Sequence, residues 1–130
     1  MSSEAATVAN KFLNAFAVGD VQTALSYFSD TTIVDEARGL PFSGTFVGPN
    51  GFMEVMEAIT AVFTPRIDKV EVLDAGTAAI GRIDMTFTSK ATGRELSTSA
   101  VEVYRVENGK ITHADIYYKD PAGVAALAEA

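Results

Sequence analysis

The chain has 130 residues, 48% of them apolar and 9% aromatic, with 10 Lys and Arg against 17 Asp and Glu, for a formal charge of −7. It contains no cysteine, no tryptophan and one histidine, which excludes a disulfide framework, a thiolate metal site, a cysteine nucleophile and any site built from several histidines. The negative balance argues against nucleic acid, whose phosphates need clustered Lys and Arg, and implies solubility and only weak attraction to an anionic membrane surface. Surface scaling at this length predicts one domain over residues 1–130, burying about two thirds of the unfolded surface around one core.

The first ten residues carry Glu4 and no basic run, and no apolar stretch approaches the roughly 20 residues of a membrane span, so a cytoplasmic location is the expectation. Val8, Phe12, Ala15 and Phe16 recur at helical spacing, and Gly19 can end that first helix. Asp20 can cap a second helix with the stripe Val21, Ala24, Leu25 and Phe28. A short strand from Thr32 to Asp35 follows, then a loop containing Gly39, Pro41, Gly44 and Gly48. Pro49-Asn50-Gly51 opens a third helix, whose stripe is Phe52, Val55, Met56, Ile59, Val62 and Phe63 and which Pro65 stops. Strands are predicted from Ile67 to Leu73, Thr77 to Ser89, Glu95 to Val106 and Ile111 to Lys119. The turns between them are Asp74-Ala75-Gly76, Ala91-Thr92-Gly93 and Glu107-Asn108-Gly109, the last carrying a strong Asn-Gly hairpin signal. Asp120-Pro121 can start a tail helix ending at Ala128. Helices first and a meander after predict an α+β domain with three N-terminal helices packed on one face of a bent antiparallel sheet.

Charged residues interrupt two of these strands. Arg82 and Asp84 alternate with Ile83 and Met85, and Glu102 sits between Val101 and Val103. A one-sided sheet would turn such charges to water. Helices over a strongly bent sheet can instead leave a cavity, where inward charges are paired or carry shifted pKa values. Arg82 and Asp84 are therefore either an outward pair beside a dimer contact or an inward pair that marks a site. Asp35 is either a solvated strand end or a base at the cavity rim. Glu102 is either an outer ion-pair partner or an acid held near neutrality by apolar surroundings. If Ala91-Thr92-Gly93 is a three-residue loop, Lys90 faces Arg94 and Arg82 faces Glu102, whereas a four-residue loop breaks that pairing. His113 and Asp115 read as exposed residues with no Ser or Cys nucleophile motif beside them. Tyr104, Tyr117 and Tyr118 read as core or interface residues, of which one can donate a hydrogen bond into the cavity.

Ala17-Val18-Gly19-Asp20, the run Tyr27-Phe28-Ser29-Asp30-Thr31-Thr32, the Gly-rich loop before the third helix, Thr92-Gly93-Arg94 and Glu107-Asn108-Gly109-Lys110-Ile111-Thr112 together resemble one superfamily. It is the cone-shaped, cystatin-like fold shared by SnoaL-like polyketide cyclases, ketosteroid isomerase, limonene epoxide hydrolase and nuclear transport factor two. The resemblance to ketosteroid isomerase implies a base at Asp35 and a protonated acid at Glu102. The position of its oxyanion tyrosine holds Phe12, which donates nothing. The resemblance to limonene epoxide hydrolase implies an acid at Asp84, in Arg82-Ile83-Asp84. Its second aspartate falls on Ile116, with Asp115 one residue away and on the opposite strand face unless a bulge intervenes. Its water-positioning pair falls on Ile33 and Asp35.

The expected pocket is lined by Phe12, Phe16, Phe28, Val55, Ile59 and Phe63 from the helical side and by Tyr104 and Ile116 from the sheet, with Asp35, Arg82, Asp84 and Glu102 as its chemistry. Such a cavity suits a small hydrophobic ligand bearing one oxygen function. The expected activity is acid–base catalysis without cofactor or metal, as isomerisation, cyclisation or epoxide opening. The alternative is a non-catalytic ligand-binding or protein-interaction domain. Ile83, Met85, Val101 and Val103 are expected to form an apolar outer sheet face that pairs two copies into a homodimer.

Overall fold

Ser3 opens the chain's first helix by accepting a 3.1 Å hydrogen bond from the Ala6 N–H, and its own N–H and hydroxyl donate to Asp74 at 2.9 and 2.8 Å. One capping residue thus satisfies an orphan helix donor and ties the helix to a distant turn. The computed structural model describes residues 3–129. Its elements are α1 (Glu4–Ala17), α2 (Val21–Leu25), β1 (Phe28–Glu36), β2 (Gly44–Val47), α3 (Gly48–Val62), β3 (Phe63–Asp74), β4 (Ala78–Ser89), β5 (Glu95–Glu107), β6 (Lys110–Tyr118) and α4 (Pro121–Glu129). Asp20 caps α2 through the Thr23 N–H, and Asp120 accepts from the Gly123 N–H in the first turn of α4. Asn108 and Gly109 take positive φ angles of 51° and 74°, as the tight turn between β5 and β6 requires.

The six strands form one curved, unclosed sheet in the order β2-β1-β6-β5-β4-β3. Strands β3 to β6 are the expected antiparallel meander. The sheet is not wholly antiparallel, because β1 lies parallel to β6. The chain between them includes α3 and four strands, long enough for the crossover that parallel pairing demands. Part of the expected glycine-rich loop is a strand as well, β2, which pairs Val47 with Ile33. Pro65 does not stop α3 but lies inside β3. That strand is at the sheet edge, where a missing N–H removes no ladder bond. Register shifts between Ile67 and Lys69 and between Arg105 and Val106 bend the strands as bulges do.

The concave face receives α1 and α3. Phe12 of α1 stacks on Phe28 at 5.4 Å and meets Phe52 and Tyr104 edge-on at 5.9 and 5.8 Å. Gly81 lets α1 come this close, since a Cβ there would lie 2.7 Å from Leu13 Cδ1 and 3.0 Å from the Tyr104 ring. Gly48, at the junction of β2 and α3, has φ +73°, and a Cβ there would lie 2.7 Å from the Asp30 carbonyl oxygen. Gly48→Ala is therefore expected to lower stability by about 1–3 kcal/mol, read as a lower urea midpoint with an unchanged m-value.

Candidate active site

Between the concave sheet and α1 and α3 lies a cavity of about 90 Å³. Its wall is hydrocarbon and aromatic except for Glu36, Glu102 and Tyr118. Each polar group arrives by strand alternation. In β1, Thr32, Val34 and Glu36 are buried while Ile33 is exposed and Asp35 half-buried, so Glu36 points inward and Asp35 outward. In β5, Glu102 pairs with Gly81 of β4, and directly opposed residues share a face. In β6, Ala114, Ile116 and Tyr118 line the cavity.

The β4–β5 turn decides the second of these placements. The Ser89 N–H donates to the Arg94 carbonyl at 2.8 Å, which leaves residues 90–93 as a four-residue loop. Arg82 therefore faces Val101 and not Glu102. Ile83, Met85 and Phe87 take the inner face, and Arg82 and Asp84 take the outer one. There Arg82 Nη1 lies 3.4 Å from Asp84 Oδ1, and the Ser99 hydroxyl donates to the same oxygen at 2.7 Å. The expected inward roles of Arg82 and Asp84 are corrected accordingly: they form a half-exposed polar pair. The same alternation removes Ile83 and Met85 from the expected outer apolar face.

Asp35 is likewise outside the cavity, accepting a 3.4 Å bond from the Thr45 hydroxyl. Glu36, one residue on, stands inside. The sequence expectation ended this strand at Asp35, and Ile33-Val34 left both phases of the alternation open. Asp115 stays on the outer face, and Ile116 lines the cavity. Phe12, Phe16, Phe28, Val55 and Ile59 also line it. Phe63 and Tyr104 do not; both are fully buried behind the wall, Phe63 against Phe87 at 5.0 Å.

The two acids differ in their surroundings. Glu36 is 7% exposed, and its carboxyl is pushed up to about 8, first by burial and then by the charge of Glu102, against a weaker opposing bond from the Ala37 N–H. Burial also raises Glu102, but the Tyr104 hydroxyl donates to Glu102 Oε1 at 2.5 Å and pulls it part of the way back. The phenol donor beside Glu102 favours its ionised form, whereas Glu36 has only the longer 3.3 Å bond from the Ala37 N–H. Tyr104 and Tyr118 are held well above the usual phenol range, mainly by burial, with the nearby carboxylates adding to it. Tyr104 spends its hydroxyl on Glu102, while Tyr118 presents a protonated phenol to the cavity wall. The arrangement sets two carboxyl groups with raised proton affinity and a phenol inside a hydrocarbon enclosure, and among the described residues no basic side chain lines it. The cluster of side chains able to hold a metal ion, Asp35 with His113 and Asp115, lies on the opposite face of the sheet.

The sequence profile described as the SnoaL-like domain matches residues 9–114. No curated protein matches in sequence. Among solved structures, an NTF2-like protein of unknown function from Burkholderia pseudomallei superposes with a TM-score of 0.86 at 19% identity, over 98% of this chain and 99% of that one. TerC, crystallised with polyporic acid, superposes with a TM-score of 0.85 at 19% identity, over 98% and 100%. A protein from Xanthomonas campestris named as a candidate polyketide cyclase does so with a TM-score of 0.78 at 17% identity, over 95% and 96%. At these identities the likeness is one of fold. The profile match spans most of the chain and joins the curved sheet, its covering helices and their cavity in one conclusion: the chain belongs to the SnoaL-like domain family.

Proposed function

We propose that this protein is a cofactor-independent acid–base enzyme that enolises a neutral, hydrophobic carbonyl compound. The observation that carries this reading is the pairing of two raised carboxyl groups, one with a phenol donor and one without, in a cavity lined by no cation among the described residues. Two titratable groups pushed apart by their surroundings divide the roles of base and acid. Glu102, ionised and steadied by Tyr104, takes a proton from the carbon beside the carbonyl. The C–H electron pair forms the carbon–carbon double bond of the enol, the C=O π pair moves onto the carbonyl oxygen, and that oxygen receives a hydrogen bond or proton from Glu36 or Tyr118. Return of the proton to another carbon gives isomerisation; attack of the enol carbon on a second carbonyl gives cyclisation. Epoxide opening loses support, since Arg82 and Asp84 face outward.

The same electrostatics select the ligand. Two acids without a cation repel a carboxylate or phosphate and accept a neutral oxygen function. About 90 Å³ of space is small beside the roughly 300–1,000 Å³ of drug-sized sites. A larger ligand must displace the half-buried Met56 and Phe16 of the lining, and methionine adapts readily. Two fold neighbours are named as candidate polyketide cyclases, which supports a carbonyl substrate.

The reading further includes a second copy of the chain as partner. Ile33, Val47, Leu73 and Tyr117 are 38%, 55%, 48% and 54% exposed, and their ladder partners assign them to the outer face with Val101 and Val103. That face also carries both charge signs, in Lys69 and Arg82 against Glu71 and Asp84, which suits a self-complementary two-fold contact.

Three measurements test this. Incubated in D2O with a panel of neutral aryl and alkyl ketones, wild type should exchange the α-hydrogens, and Glu102→Gln should be slower by about 10²–10⁴-fold; exchange that is absent in wild type, or equal in Glu102→Gln, ends the catalytic reading. The folded Glu36 keeps its proton to about pH 8, while the unfolded chain releases it near 4.5. The folded state binds more protons across that window, so unfolding free energy falls as pH rises through it, by a few kcal/mol at about 1.4 kcal/mol per unit. Glu36→Gln should remove this slope in urea melts at pH 5 and pH 8; an unchanged slope would assign the proton elsewhere. Light scattering should give twice the mass of one chain, and Val103→Glu should give a folded single chain.

A further inference from the structure

Asp35, His113 and Asp115 meet on the outer face of the sheet, away from the cavity. Parallel pairing sets Asp35 directly opposite Asp115, and His113 shares the outer face of β6 with Asp115 two residues on. One ligand atom from each side chain lies within 4.8 Å of the other two, and all three residues are half-buried. Directly opposed carboxylates repel, and among the described residues neither enters an ion pair, the two pairs there being Arg66–Asp68 and Arg82–Asp84. Arg105, across the ladder from His113, reaches neither of them. His113 adds a second observation: its Nε2 is buried with no hydrogen-bond partner. Both carboxylates are held from behind, Asp115 by the Tyr117 hydroxyl at 2.7 Å and Asp35 by the Thr45 hydroxyl at 3.4 Å, as outer partners orient metal ligands.

We propose that Asp35, His113 and Asp115 form a binding site for a divalent transition-metal ion of the zinc type. One imidazole nitrogen and two carboxylates suit that class, whereas calcium and magnesium favour shells made of oxygen alone. Ligand atoms in a tetrahedral zinc shell sit about 3.3 Å apart, so each pair of ligand atoms, within 4.8 Å here, closes by at most about 1.5 Å on binding. Three protein ligands leave the fourth position to water. The ion cancels the repulsion across the β1–β6 ladder and ties the two strands together, independently of any chemistry in the cavity.

The chain's single histidine makes the test direct. Zinc chloride is titrated into the full-length protein by calorimetry and followed by the proton NMR signals of that one imidazole. The site requires one ion per chain at micromolar affinity or tighter, with the His113 signals shifting on the same isotherm and calcium leaving them in place. The count is per chain, so pairing of two copies through this face does not alter it. His113→Gln and Asp115→Asn should each weaken zinc binding by about tenfold or more, and Asp84→Asn, on the same face outside the cluster, should not. His113 signals unmoved by millimolar zinc, an equal response to calcium, or undiminished binding by folded His113→Gln and Asp115→Asn would each overturn the site. The NMR arm uses the unaltered chain, so it decides the matter even if a variant fails to fold.

Discussion

Glu36 and Glu102 share a cavity whose other lining is almost all hydrocarbon. Ionising both there would set two like charges in mostly apolar surroundings, and burial raises the proton affinity of each. Much of the site's character follows from this. Tyr104 is committed to Glu102, its ring fixed by Phe12 and by the close passage of α1 over Gly81. Tyr118 is held well above the usual phenol range by burial first, and the neighbouring carboxyl groups add to it. The cavity repels anions, since nothing on its wall offsets the acids.

The fold brings the two carboxyls together from elements far apart in the chain. Glu36 ends β1, and Glu102 lies in the middle of β5, two strands away across β6. The parallel β1–β6 ladder places β1 in the sheet, and the β4–β5 hairpin chooses which side of β5 faces α1. A loop shorter by one residue would shift that register and exchange inner for outer side chains in one strand against the other. Gly81 is the partner this register gives Glu102, and its missing side chain leaves room for Leu13 and the Tyr104 ring.

The outer face uses charge in another way. Arg82 and Asp84 compensate each other in partial contact with water, an arrangement worth little to stability. Asp35 and Asp115 have no such compensation. Both faces therefore carry two neighbouring acids, but the inner pair sits in apolar surroundings with a phenol donor on one of them, while the outer pair has hydroxyl donors and an imidazole beside it.

Much of the architecture was legible in the chain itself. The 3.6-residue stripes of α1 and α3, Asp20 and Asp120 as caps, Asn108-Gly109 and the strand runs after Phe63 carry their signals locally, because capping, turn geometry and amphipathic period act over a few residues. The family motifs and the aromatic lining from Phe12 to Ile59 were legible for the same reason. The phase of each strand relative to its neighbours was not. Ile33-Val34 and Val101 to Val103 read equally well facing either way, and one residue in the length of the turn after Ser89 separates the two outcomes. Glu36 in place of Asp35, Ile83 and Met85 inward in place of Arg82 and Asp84, Phe63 and Tyr104 behind the wall and β1 running parallel to β6 were all decided by tertiary packing. Side chains alternate with period two along a strand, so register sets which of them enter the cavity, and register is fixed only when distant strands meet.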